Sequence, residues 1–174
     1  MPDPDSTGPD PADPDPADPD PASPDPAGPR REIVEITTAE THPVRLAVLR
    51  ADTPTKEVAF AGDDDPGVVH LGVRVAGELV ATSTWMPRAA PDGSEPAVQL
   101  RGMATMQHLQ GTGVGAALIA AGCAHARSLG AVVVWANARD RALAFYEREG
   151  FDVHGDGFID PVTQLPHHVV IRQL

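Results

Sequence analysis

Apolar and polar residues alternate along Glu32–Thr37 (Glu-Ile-Val-Glu-Ile-Thr), the pattern of a strand with one covered face. Thr41-His42-Pro43 reads as a helix start, with Thr41 or His42 near the cap, Pro43 in the first turn and Val44–Arg50 as a short helix. Periodicity then lapses over residues 51–66, where two prolines and the run Asp63-Asp64-Asp65-Pro66-Gly67 predict a loop. Val68–Val75 and Glu78–Trp85 are β-rich runs joined at Ala76-Gly77, which predicts a hairpin. Residues 87–96 form a connecting loop, and a strand over Ala97–Met106 leads into a glycine-rich segment. An apolar helix from Gly113 to Leu129 follows, stopped by Gly130. Ala131–Ala136 is a continuous apolar run, as expected of a strand covered on both faces. Asp140–Glu149 carries Ala142, Phe145 and Tyr146 at helical spacing, and Phe151–His154 with His168–Leu174 reads as a closing pair of strands. The order β-α-ββ-β-α-β-α-ββ predicts an α+β domain with a sheet of mixed strand direction flanked by helices.

Composition changes this picture at the N-terminus. Residues 1–30 are almost wholly Pro, Asp, Ala, Ser and Gly, too poor in apolar surface to offset the entropy of ordering. They are expected to form a disordered acidic arm, leaving 31–174 as the folded domain. Eight aspartates lie in the arm, so a net charge of −12 becomes −12 + 8 = −4 for residues 30–174. A mildly acidic domain argues against binding duplex nucleic acid, which needs clustered Lys and Arg. Cys123 is the single cysteine, so no intramolecular disulfide and no cysteine-type zinc site can form. The first residues lack a signal-peptide pattern and no apolar run approaches a membrane span. Lys56 stands against twelve arginines, a skew that suggests a GC-rich bacterial genome. A cytoplasmic location is the expectation.

The candidate chemistry lies in Gln110-Gly111-Thr112-Gly113-Val114-Gly115, between a strand and a helix. Glycines let backbone N–H groups approach an anion closely, and the helix N-terminus adds unpaired donors and its dipole. Together these make a phosphate site without a lysine. A Walker loop would end Gly-Lys-Ser/Thr, whereas this one ends Gly115-Ala116-Ala117. A dinucleotide fold would place an acid at the tip of the next strand, where this chain has Trp135-Ala136-Asn137. A tight turn with a close helix–sheet contact is the plainer alternative for such glycines.

Gln110, Gly113 and Gly115 match the Gln/Arg-x-x-Gly-x-Gly/Ala signature of the GNAT superfamily of acyl-CoA N-acyltransferases, which this chain resembles. A second block, Trp135–Arg139 followed by Ala142–Phe151, resembles the family about twenty residues further on, and the resemblance covers residues 31–174. It implies a GNAT-type three-layer-like fold with a centrally splayed sheet, the parallel strands 97–106 and 131–136 parting to admit acetyl-CoA as acyl donor. It further implies that backbone groups of Met103, Ala104 and Thr105 pair with the pantetheine arm. Amides of Gln110, Gly111, Thr112, Gly113, Val114 and Gly115 would hold the pyrophosphate, and Asn137 would hydrogen-bond the cofactor. Where the family often has Arg, this chain has Thr112, so one phosphate-facing charge is missing.

By the same resemblance Tyr146 matches the tyrosine that protonates the departing CoA thiolate; the alternative is a core aromatic. Candidates for a general base are His70, His108, Glu95, the Asp63–Asp65 run and the His167-His168 pair, with ordered water as the other route. A charge run in a loop is expected to be solvated. Arg50 and Arg101 are the arginines suited to holding a substrate carboxylate, or else lie at the surface or sheet edge. Cys123 is expected to be a buried, inert thiol. His167 and His168, adjacent in a strand, face opposite sides and do not chelate one metal. The expected activity is acetyl transfer to a primary amine of a small molecule or peptide, with no metal, no nucleic acid and no membrane, and homodimerisation is common in the family. The reading from another class is a non-catalytic acyl-CoA sensor or scaffold, and a third places function in the acidic arm. With a single short helix before the hairpin, the acceptor side is expected to be open or differently covered.

Overall fold

The computed structural model describes residues 30–174, so the expected arm lies, Arg30 apart, outside the described residues. Seven strands form one sheet in the order β1-β2-β3-β4-β5-β7-β6. They are β1 (Arg31–Ile36), β2 (Val69–Val75), β3 (Glu78–Pro87), β4 (Ala97–Thr105), β5 (Val133–Arg139), β6 (Asp152–Ile159) and β7 (Pro166–Gln173). The helices are α1 (Thr38–Leu49), α2 (Val114–Ser128) and α3 (Leu143–Arg148). Every adjacent pair is antiparallel except β4 and β5. The mixed, α+β architecture expected from the patterning is the one observed.

Several boundaries differ, each for a local reason. Helix α1 begins at Thr38, three residues before the expected cap. Thr37 and Glu40 close a capping box in which each side chain satisfies the other's backbone N–H. Pro43 therefore sits inside the helix and not in its first turn. The segment Asp140–Ala142 is a 3₁₀ turn, so α3 is shorter than the expected Asp140–Glu149. Strand β5 runs on to Arg139 because β7 pairs with it from Val133↔Gln173 to Arg139↔His167. At the hairpin, Ala76 and Gly77 have φ of +50° and +85°, the paired positive values of a type I′ turn.

The two faces of the sheet carry different chemistry. Trp85 is fully buried beneath α2, where a Cβ on Gly122 would lie 1.8 Å from its ring. This glycine is what lets the helix approach the sheet so closely. Ile119, Cys123 and Ala126 of α2 complete a cluster with Val98, Leu100, Val134 and Phe151. On the opposite face lies α1, whose Arg45 donates to Thr84 of β3. That side is polar, with Arg45 wholly buried and Asp63 nearly so. Among the described residues no helix is long and apolar enough to cross a membrane.

Candidate active site

Strands β4 and β5 pair through four positions, Ala97↔Val133 to Leu100↔Ala136, and then part. The cause is a bulge in β4. Thr82 pairs with Ala104 and Thr84 with Arg101, so Gly102 and Met103 together oppose one residue, Ser83. A bulge bends the strand that carries it. Gly102 has φ +55°, and a Cβ there would come within 2.9 Å of Arg45 Nε. Beyond the fork β5 follows β7, while β4 keeps β3 on one side and has no strand on the other. Met103, Ala104 and Thr105 thus lie on a strand with one open edge. Gln110 Nε2 donates to Thr105 O at 3.1 Å, tying the end of that edge to the glycine loop.

The loop itself is wound tightly. Amides of Gln110 and Thr112 turn back to the carbonyls of Gln107 and Leu109, at 3.2 and 3.4 Å. Gly111 and Gly113 have φ of +76° and +87°, a region that favours glycine, and a Cβ on either would meet open space. Conformation, and not crowding, is what requires glycine at both. Gly113 is also the N-cap of α2, and no side chain caps this helix. The amides of Val114, Gly115 and Ala116 therefore have neither an intrahelical acceptor nor a side-chain cap. Arg31, which the sequence reading did not single out, donates Nη1 to Thr112 O at 2.8 Å. It brings a cation from β1 to the side of the loop at Thr112.

Tyr146 approaches the fork from the α2 side. Its hydroxyl points toward Met103 Sδ at 4.0 Å, and its ring packs edge-on against Phe145 and Phe151. Burial pushes the phenol above its ordinary value, so it stays protonated at neutral pH. Asn137 is the first residue of β5 beyond the fork, exposed, with its backbone registered on Val169.

The candidate bases are mostly engaged in structure. Asp63 is buried and not solvated with the rest of its acidic run, because Arg45 donates to both of its oxygens, at 2.5 and 3.2 Å. Burial acts to raise its carboxyl, but hydrogen bonds from Arg45 and from the Phe60 amide outweigh that, and the net direction is down. His70 is held between Thr84 Oγ1 at 2.8 Å and Asp63 O at 3.0 Å. His167 stacks on Phe158, while His168 contacts Asp140 at 2.8 Å from the other face. Cys123 is buried and its thiol is pushed up by burial. Among the described residues there is no cluster of three or more His, Cys, Asp or Glu suited to a metal.

On the α1 side, residues 51–67 fold back over the sheet without forming a second helix. Phe60 lies beneath three guanidinium groups, with Arg45, Arg50 and Arg101 centred 4.2, 5.1 and 5.5 Å from its ring centroid. The α1 side of the sheet, expected to be open or differently covered, is thus covered by this segment. Neither Phe60 nor Arg45 stood out in the sequence, since a lone aromatic in a loop and an arginine in a short helix carry no periodic signal.

The comparisons agree with this geometry. The model of the acetyltransferase (GNAT) family matches residues 31–151. The uncharacterized N-acetyltransferase YitI of Bacillus subtilis (strain 168) is 28% identical over 141 residues, covering 80% of this chain and 93% of its own. An acyl-CoA N-acyltransferase from Pseudomonas aeruginosa superposes with a TM-score of 0.65 at 18% identity, over 81% of this chain and 99% of its own. ElaA from Escherichia coli superposes equally well, with a TM-score of 0.65 at 19% identity over 81% and 99% of the two chains. With its forked sheet and a family match over more than half its length, this chain belongs to the GNAT family of acetyltransferases and is by that membership an acyltransferase.

Proposed function

We propose that residues 31–174 transfer an acetyl group from acetyl-CoA to a primary amine of a small molecule or peptide by direct attack. One observation carries the reading: the open edge of β4 beyond the fork leads, through a 3₁₀ turn at Gln107–Leu109 and the glycine loop, to the uncapped N-terminus of α2. An extended amide-bearing arm needs backbone partners along a strand, and a pyrophosphate needs convergent N–H donors at its end. Met103, Ala104 and Thr105 supply the first; the amides of Gly111, Gly113, Val114 and Gly115, which are not turned back into the loop as those of Gln110 and Thr112 are, supply the second with Arg31.

In this reading the neutral amine nitrogen attacks the thioester carbonyl carbon. A C–N bond forms, the C–S bond breaks, and the sulfur leaves with the electron pair. Tyr146, whose hydroxyl points toward Met103 Sδ, donates a hydrogen bond and then its proton to that sulfur; the proton shed by the amine passes to water, and water returns one to the phenolate. Backbone N–H groups of β4 beyond the fork polarise the carbonyl oxygen as charge develops on it. Asn137 contacts the donor from β5.

Thermal unfolding with and without CoA tests the site. Ligand at a hundred times its Kd is expected to stabilise the fold by about 2.7 kcal/mol, and Arg31→Gln is expected to weaken binding several-fold, less so at high salt. No shift at millimolar CoA would remove the donor site from this reading. Thiol release across an amine panel then separates an enzyme from an acyl-CoA sensor, which binds without turnover.

A further inference from the structure

We propose that the acceptor is an amine that also bears a carboxylate, of the amino-acid class, and that Arg101, with Arg50 and Arg139, holds that carboxylate on the α1 side of the fork. The inference rests on the acyltransferase reading above and narrows its acceptor.

The domain is acidic as a whole, yet four arginines gather on this one face: Arg45, Arg50, Arg101 and Arg139. Arg45 is committed to Asp63. Arg50 and Arg101 have no carboxylate within ion-pair distance among the described residues. Arg50 donates Nε to Glu57 O, and Arg101 donates Nη1 to Ala61 O, at 2.5 and 2.7 Å. These bonds fix the two guanidinium groups while leaving the remaining nitrogens of each without an oxygen acceptor. Arg139 donates Nη2 to Leu49 O, yet its Nη1 is buried without a hydrogen-bond partner. The nearest carboxylate, Asp52, stands 3.7 Å from Arg139 and is engaged at 2.7 Å by Arg141. Burial lowers the pKa of Arg50, Arg101 and Arg139 alike, and neighbouring arginines add to it. Asp160 and Glu57 offset this at Arg50, and Asp63 does so at Arg101, without giving either a carboxylate oxygen within ion-pair distance. Arg50 is buried, and Arg101 and Arg139 are partly exposed; a set of desolvated cations with free donors is the arrangement an anion completes.

The placement selects the acceptor and not the donor. Leu100↔Ala136 is the last parallel pair, so Arg101 is the first residue of β4 past the fork. It registers with Thr84, whose side chain bonds Arg45, which puts Arg101 on the α1 face. Arg139 lies two residues beyond Asn137 on β5 and reaches Leu49 at the end of α1, so it shares that face. Tyr146 is on the other. An acceptor entering from the α1 side presents its amine to the fork while its carboxylate meets a guanidinium. The planar two-oxygen group matches the planar donor fork, which a lysine would not.

The experiment compares free amino acids and dipeptides with their carboxamides and decarboxylated amines, following thiol release by the full chain with acetyl-CoA. The acids are expected to exceed their amides at least tenfold in kcat/KM. Arg101→Gln is expected to raise KM for the acid about ten- to a hundredfold and to collapse the acid-over-amide preference. Arg101→Lys, which keeps the charge but not the two-pronged donor, should fall between. Dipeptides preferred over amino acids would place the carboxylate further from the amine, still on this site. Equal use of acid and amide, or a preference that survives Arg101→Gln, overturns the inference. A binding arm needs no turnover: with CoA present, an N-acetyl amino acid should raise Tm and its methyl ester should not. Equal shifts, or none, also overturn the carboxylate site. A clear acid-over-ester preference with no thiol release from any amine would count against the acyltransferase reading alone.

Discussion

Tyr146 has a phenol that burial makes a weaker acid than usual. An ordinary thiol has a pKa near 8.5, so complete proton transfer from this phenol to a solvated thiolate runs uphill. In the proposed mechanism its role is therefore that of a hydrogen-bond donor to the developing charge, with the proton moving late, once the desolvated sulfur has become basic. Such a donor contributes less than a well-matched general acid, and Tyr146→Phe is expected to lower kcat by about ten- to a hundredfold. The Phe variant keeps the edge-on contacts with Phe145 and Phe151, so packing stays nearly constant. Because the folded-state value is raised, the wild-type donor stays loaded through neutral pH. Its ionisation then draws no alkaline limb into kcat below about pH 10. An unchanged kcat in the Phe variant across this range would remove Tyr146 from the chemistry and leave it a core residue.

At the level of elements, α2 owes its position to two glycines with opposite reasons. Gly113 needs its conformation in open space, while Gly122 needs the absence of a Cβ against Trp85. Gly122→Ala is expected to destabilise the domain by at least about 1–3 kcal/mol through overpacking, read by chemical denaturation, with altered emission from the displaced Trp85. A stability loss below about 0.5 kcal/mol would show that the helix can slide without cost. Strand alternation, the apolar run of β5 and the Gln110–Gly115 signature made the sheet and loop legible in the sequence, because each rests on local periodicity or local backbone need. The capping box of α1 is equally local, in Thr37-x-x-Glu40, but the Pro43 signal six residues on points to a later start. What could not be read locally is the bulge at Gly102-Met103. It is defined only against Ser83 on a neighbouring strand, and the cover over the α1 side depends on a pair eighteen residues apart, Arg45 and Asp63.

That pair links the stability of the whole molecule to the α1 side, where the acceptor is proposed to bind. Asp63 holds residues 58–63 against α1 through Arg45, which also donates to Val58 O, and the same segment presents Phe60 and the carbonyl that fixes Arg101. The Asp63 carboxyl is lower in the folded state than in the unfolded chain. Its contribution is therefore fully present above about pH 4 and is lost as pH falls through the folded value. Glu40, Asp52, Asp92 and Asp160 are shifted in the same direction and add to the same acid limb. Denaturant midpoints are expected to hold steady from about pH 6 to 8 and to fall steeply below about pH 4. Asp63→Ala leaves the Arg45 guanidinium buried without its partner, a defect that costs about 3–5 kcal/mol. Because the loosened segment lies on the proposed acceptor side and not under the 110–115 loop, the variant that remains folded should raise KM for the amine far more than KM for acetyl-CoA. Equal changes in the two constants would mean that residues 51–67 serve the fold alone, and that acceptor selection is set wholly by the side chains of β4 and β5.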